Sequence, residues 1–239
     1  AMRGSEGRIP GLPFSSPVGA SPVEALHKTW AAKASRESSE RRYARQTRPE
    51  DMHLLETAVR EAPGVSEVTR ARDWALISLL FQGGFRISEV LQATNRDLTV
   101  DGRLPDGSPK HVLTVRRKRG KVQGIALEPE AVAAVENYRA ALELSGLMPE
   151  TRAAAKRPDA PLIAAVGRRG WTLDEAIAHV SREGRSAAEQ IVLPMTRNAV
   201  FALFLKYVDA IAGQDAELRT KLRKRLHAHG LRHLNASIW

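Results

Sequence analysis

Arginine suits a phosphate because its planar guanidinium donates hydrogen bonds as a fork and keeps its charge at any biological pH. Two arginines of this chain sit where that chemistry is favoured. Arg86 lies in Gly84-Phe85-Arg86-Ile87-Ser88-Glu89, behind a glycine pair and at the expected start of a helix. Free backbone N–H groups and the helix dipole also attract an anion there. Arg232 lies far downstream, in His229-Gly230-Leu231-Arg232-His233. Gly230 is expected to break the preceding helix just before Leu231 begins the next, so that His229 and Arg232, three apart, face one anion near a helix N-terminus. Such a pair of boxes could stabilise the negative charge that builds on the nonbridging oxygens of a phosphodiester under attack. The plain alternatives are a surface ion pair of Arg86 with Glu89 one turn on, and solvated histidines at His227, His229 and His233. A zinc site at those histidines is disfavoured, because no acidic or thiol partner stands nearby.

A third basic cluster, Arg116-Arg117-Lys118-Arg119-Gly120-Lys121, reads as a hairpin tip. Its plain reading is a solvated turn, and Arg116, Arg117 and Arg119 suit sequence-independent phosphate contact. The whole chain of 239 residues carries a formal charge of +10, which attracts polyanions. Nucleic acid fits better than a membrane, since no apolar run approaches the roughly 18 residues that a spanning helix needs. No secretory leader is visible at Ala1-Met2-Arg3-Gly4-Ser5, and the absence of cysteine fits a reducing cytoplasm.

The elements that must position these residues follow from pattern. Residues 1–46, rich in glycine, proline, serine and charge, read as a linker or the remnant of another domain. A helix is expected from Thr47-Arg48-Pro49, with Leu54, Leu55, Ala58 and Val59 on its apolar face. A second is expected from about Ala71 to Gln82, and a third from Arg86. Between Asp97 and Leu127 the apolar period drops to about 2, which predicts a small three-stranded antiparallel sheet. Pro129 opens a helix that Gly146 closes. From Met148 to Pro194 the pattern is weak, and the stretch reads as an insertion with one short helix at Thr172 to Val180. Thr196 caps an apolar helix to Gly213, and Asp215 begins a basic one carrying Arg219, Lys221, Arg223, Lys224 and Arg225 opposite Leu218, Leu222 and Leu226. The fold class expected is α+β, mainly helical.

Taken together, the order arginine box, basic hairpin, apolar helices and His-x-x-Arg resembles the catalytic domain of the tyrosine recombinases (the phage integrase family) over residues 47–239. The resemblance implies that Arg86 and Arg232 are catalytic arginines, that Glu89 helps hold the site, and that His229 assists proton transfer or hydrogen-bonds the phosphate. It places a catalytic lysine in the hairpin, at Lys118 with Lys121 as fallback, and makes His233 a supporting residue. DNA contacts would come from Arg116, Arg117, Arg119, Lys121, Arg219, Arg223 and Lys224. No metal or cofactor is called for, because arginine, lysine and histidine supply the charge and the protons.

The implied partner is double-stranded DNA in the cytoplasm, and the implied activity is integration, excision or transposition through a 3′-phosphotyrosyl intermediate. A type IB topoisomerase and a non-catalytic DNA-binding regulator are the competing readings. Three departures stand out: Phe85 replaces a commoner leucine, the 148–194 stretch is long, and no tyrosine follows the second box. Tyr43, Tyr138 and Tyr207 all precede it. The expectation is therefore a chain that grips a phosphate without cutting it, a monomer where the full-length protein would be a homotetramer on DNA, with apolar surface around Phe201 to Val208.

Overall fold

Capped amphipathic helices build the body. α1 (Pro49–Arg60) begins where the Arg48 N–H donates to the Asp51 carboxylate at 3.0 Å, and Pro49 fills a position that needs no N–H. It buries Met52, Leu55 and Val59. α2 (Glu67–Gln82) is capped by the Ser66 hydroxyl, which accepts from the Thr69 N–H. That cap sets the start at Glu67, ahead of the Ala71 expected from apolar spacing alone. Ala75, Leu76, Ile77, Leu79 and Leu80 are all fully buried, so most of α2 lies inside and forms the centre of the core, with a partly exposed face at Glu67, Arg70, Ala71 and Trp74.

The computed structural model describes residues 47–117, 120–167 and 191–238, without the side chains at 166, 167, 191, 233 and 235–238. The chain divides into two units, Ala1–Ala44 and Arg45–Trp239, and every described residue belongs to the second. Tyr43, the linker expected over 1–46, Lys118, Arg119 and the helix expected at 172–180 lie outside the described residues.

After α2 come the short α3 (Ile87–Gln92), a single 3-10 turn at Asn95–Asp97, and the strands β1 (Leu98–Arg103), β2 (Pro109–Arg116) and β3 (Val122–Ala126). They form one antiparallel sheet in the order β1-β2-β3. Leu98 and Ile125 flank Leu113 on either side, and Arg116 stands opposite Val122 at the hairpin end. Leu113 and Val115 are buried while Arg116 and its partner Val122, on the other face, are exposed, the alternation of a sheet with one face on the core. The fold is α+β and mainly helical with a small three-stranded antiparallel sheet, as the periodicities predict.

α4 (Pro129–Glu143) packs along α2. The stretch read from sequence as an insertion packs against the body at its near end. α5 (Pro149–Ala155) leads to residues laced to the loop after α3: the Asn95 side-chain amide donates to the Ala155 and Arg157 carbonyls, and the Leu162 N–H donates to the Ala93 carbonyl. Leu162, Ile163 and Ala164 are core residues, and β4 (Ala164–Gly167) pairs antiparallel with β5 (Ile191–Pro194). The continuous apolar run Leu162 to Val166 has no polar residue to mark a period, which is why the pattern there is weak.

α6 (Arg197–Ala212) is capped by Thr196 and α7 (Ala216–Arg225) by Asp215, as expected. α8 (Ala228–Ile238) closes against α2. Within α6, Phe201 is 62% exposed, whereas Leu203, Phe204, Tyr207 and Val208 are core residues, so the apolar surface expected there narrows to Phe201. Tyr207 donates its hydroxyl to Asp73 at 2.8 Å, and Asp73 in turn holds Arg72 at 2.7 Å, all three buried. No helix among the described residues is long and apolar enough to cross a membrane.

Candidate functional site

The turn between α2 and α3 presents Arg86. Gly84 has a φ of +58°, a conformation that favours glycine, and Phe85 behind it is fully buried. Gly83 is required for a different reason: a Cβ there would fall 2.0 Å from the Phe85 ring. Phe85 thus anchors the turn, and Arg86 follows as the N-cap of α3. Glu89 grips Arg86 at two points, accepting from its backbone N–H at 2.8 Å and from its Nη1 at 2.8 Å. The Glu89 side chain is 2% exposed and that of Arg86 48%. A nearly buried carboxylate therefore holds a guanidinium whose other side remains open to solvent: the ion pair with Glu89 forms, and it leaves Arg86 donors that an anion could still reach.

Arg232, on the first turns of α8, lies within the electrostatic reach of that pair. Burial pushes its guanidinium below the ordinary arginine value; Arg86 pushes in the same direction, Glu89 opposes, and Arg117 adds to the depression. Four charged groups from three separate elements thus share one electrostatic neighbourhood, three guanidinium groups against one carboxylate. The excess positive charge is what a phosphodiester would neutralise.

Arg117 is the member that sequence reasoning undervalued, as one of several hairpin residues suited to phosphate contact. The backbone singles it out. Its N–H donates to the Lys121 carbonyl at 2.7 Å and its carbonyl accepts from the Gly120 N–H at 3.1 Å, with Gly120 at a φ of +74°. The turn is thereby pinned at Arg117 from both sides, and its Nε is shut off from solvent without an acceptor among the described residues. Arg116 and Lys121 are exposed beside it.

His229 is exposed on the first turn of α8, three residues before Arg232. Its ring stacks on that of His227 with centroids 6.4 Å apart, and the His227 Nδ1 accepts from the Gly230 N–H at 3.0 Å. Lys118, Arg119 and the side chain of His233 lie outside the described residues. On α7, Arg219 and Arg223 are engaged with Asp209 at 3.2 and 2.9 Å, and Arg219 also donates to the Gly213 carbonyl. The structure therefore gives these two a role in joining α6 to α7, leaving Lys224 exposed on that helix. Arg225, on the same basic helix, points instead to the buried Asp51, 3.0 Å away. Tyr138 and Tyr207, at 2% and 0% exposure, are core residues.

No protein-family model matches the sequence, and no curated protein is detectably similar to it. Among solved structures, the chain is similar to two complexes of XerH site-specific recombinase. One is bound to difH substrate before cleavage, with TM-score 0.47, 16% identity, 81% of this chain and 42% of that one covered. The other is bound to palindromic difH substrate after cleavage, with TM-score 0.48, 15% identity and coverage of 81% and 41%. It is also similar to an FLP recombinase–Holliday junction complex, with TM-score 0.47, 12% identity and coverage of 90% and 47%. All three are structures of tyrosine recombinases, and this chain spans less than half the length of each.

Proposed function

We propose that the Arg86, Arg117 and Arg232 cluster binds a backbone phosphate of double-stranded DNA, and that the chain is the phosphate-gripping part of a DNA strand transferase of the tyrosine-recombinase kind. The reading is supported by Arg232, from the far end of the domain, falling within the electrostatic reach of Arg86, Arg117 and the buried Glu89 carboxylate that holds Arg86. Guanidinium groups fixed before the substrate arrives can stabilise charge on the nonbridging oxygens without reorganising. In the complete reaction a tyrosine hydroxyl attacks the phosphorus, the 5′ oxygen leaves, and the 3′ end remains as a phosphotyrosyl ester. His229 would manage the proton of the attacking group and Lys118 that of the leaving oxygen. Neither Tyr138 nor Tyr207 serves as the nucleophile, because both are buried. Assembly as a homotetramer on DNA, a cytoplasmic location and the choice among integration, excision and transposition belong to the same proposal for the whole protein.

The reading is tested by the salt dependence of binding to a fluorescent 20-base-pair duplex. Wild-type affinity should fall steeply with salt, and Arg86→Ala should lower the slope of log K against log salt by about one, the loss of one phosphate contact. An Arg86→Ala protein that is folded and keeps both the wild-type affinity and the wild-type slope would remove Arg86 from the DNA interface and the proposal with it.

A further inference from the structure

Between α7 and α8 the chain turns sharply just before the residues that enter the arginine cluster, and the start of α1 is fastened to that turn. Arg225, the last residue of α7, is held at both ends. Its carbonyl accepts from the Thr47 hydroxyl at 2.5 Å, and its Nη2 lies 3.0 Å from Asp51 Oδ1. Both side chains of the ion pair are largely buried, at 15% and 3% exposure. Asp51 does double duty, since its other oxygen receives the Arg48 N–H and so fixes the first turn of α1.

The turn leaves no room for slack. A Cβ on Gly230 would lie 2.5 Å from the Arg225 carbonyl oxygen and 2.5 Å from the Thr47 hydroxyl. Three chain segments, at 47–51, at 225–227 and at Gly230, therefore meet at one point, and only glycine lets the third approach the other two. Two residues after Gly230 comes Arg232. A buried ion pair is weak evidence for a gain in stability, since desolvation offsets much of the attraction; fixing one geometry is the use that better explains such a pair beside a site.

We infer that Thr47 and Asp51 are positioning residues of the phosphate site: they clamp the end of α7 so that α8 starts in the one direction that brings Arg232 to Arg86. They touch no phosphate themselves. The inference rests on the reading of the arginine cluster as a DNA-phosphate site. It also makes the segment that enters α1 part of the machinery, so that a displacement at Thr47 is transmitted to Arg232 through Arg225 and Gly230.

The test uses the full chain and the same 20-base-pair duplex. Asp51→Asn strands the buried Arg225 charge and endangers folding. Thr47→Val removes one hydrogen bond, keeps the shape, and is the deciding variant, with thermal denaturation confirming that it is folded at the temperature of the assay. Thr47→Val should weaken duplex binding about 3- to 10-fold, the value of one hydrogen bond passed on to the site. The salt slope should flatten toward that of Arg232→Ala, and Thr47→Ser, which keeps the hydroxyl, should restore both. In an Arg232→Ala background the Thr47→Val substitution should change binding by less than about 2-fold, because the clamp then has nothing to position. A folded Thr47→Val protein with wild-type affinity and slope, or one whose effect persists undiminished in the Arg232→Ala background, overturns the clamp while leaving the phosphate site intact. If Arg232→Ala itself binds like the wild type, the phosphate-site reading and the clamp fall together.

Discussion

Arg232 carries its charge in a place that disfavours it. Burial and the neighbouring Arg86 both lower its affinity for its proton relative to the unfolded chain. A cation whose folded value is depressed weakens the fold at every pH where it stays charged, which for arginine includes the whole working range. Arg232→Gln is therefore expected to leave the melting temperature unchanged or slightly raised, since solvent screens most of the effect, while weakening duplex binding at least about 10-fold. Thermal denaturation and anisotropy on the same preparation check both halves; a lower melting temperature with unchanged binding would place Arg232 among structural residues. The pairing of Arg86 with Glu89 was legible in the sequence because a spacing of three at a helix start brings side chains to one face. Arg117 was legible only as one of several hairpin cations, because Arg116 and Arg117 are chemically alike and only the backbone bond of Arg117 to Lys121 sets it apart.

At the scale of elements, the α2–α3 turn ties packing to the site. Gly83 has an ordinary helical φ of −80°, so nothing in its backbone demands glycine; the demand comes from the Phe85 ring. Gly83→Ala, which at an unconstrained helix end would be neutral or stabilising, is expected to force Phe85 out of its fully buried position and to cost about 1–3 kcal/mol. It should also shift Arg86, the next residue, and weaken DNA binding. Urea denaturation measures the first effect; a midpoint equal to that of the wild type would show that the ring has room to move. The helices and the sheet were readable from period and cap, since Pro49, Pro129, Thr196 and Asp215 each mark a start the structure bears out. The start of α2 and the place of residues 149–164 were not readable. There the deciding interactions are a serine cap outside the apolar stripe and hydrogen bonds between Asn95 and carbonyls some sixty residues away in sequence.

For the whole molecule, a buried polar network lies behind the central helix. Arg72, Asp73 and Tyr207 link α2 to α6, and burial drives the nearby Tyr138 phenol above its usual value, so that it stays neutral. Tyr207→Phe removes the donor to a buried carboxylate and is expected to destabilise the domain by about 1–3 kcal/mol, read from chemical denaturation. A neutral result would mean that Arg72 alone satisfies Asp73. The same burial predicts that incubation with nicked duplex DNA yields no SDS-resistant adduct traceable to Tyr138 or Tyr207. Peptide mapping of any adduct that forms would expose a contrary case.

The central claim is that two arginines far apart in sequence hold one phosphate. A double-mutant cycle on duplex affinity, from wild type, Arg86→Ala, Arg232→Ala and the double variant, measures it most directly. Groups that share a ligand atom group are coupled, so the double variant should be weaker than wild type by clearly less than the product of the two single losses, with a coupling energy of about 1 kcal/mol or more. Losses that multiply strictly, with coupling below about 0.3 kcal/mol, would mean that Arg86 and Arg232 act on separate phosphates or on none, and would contradict the account.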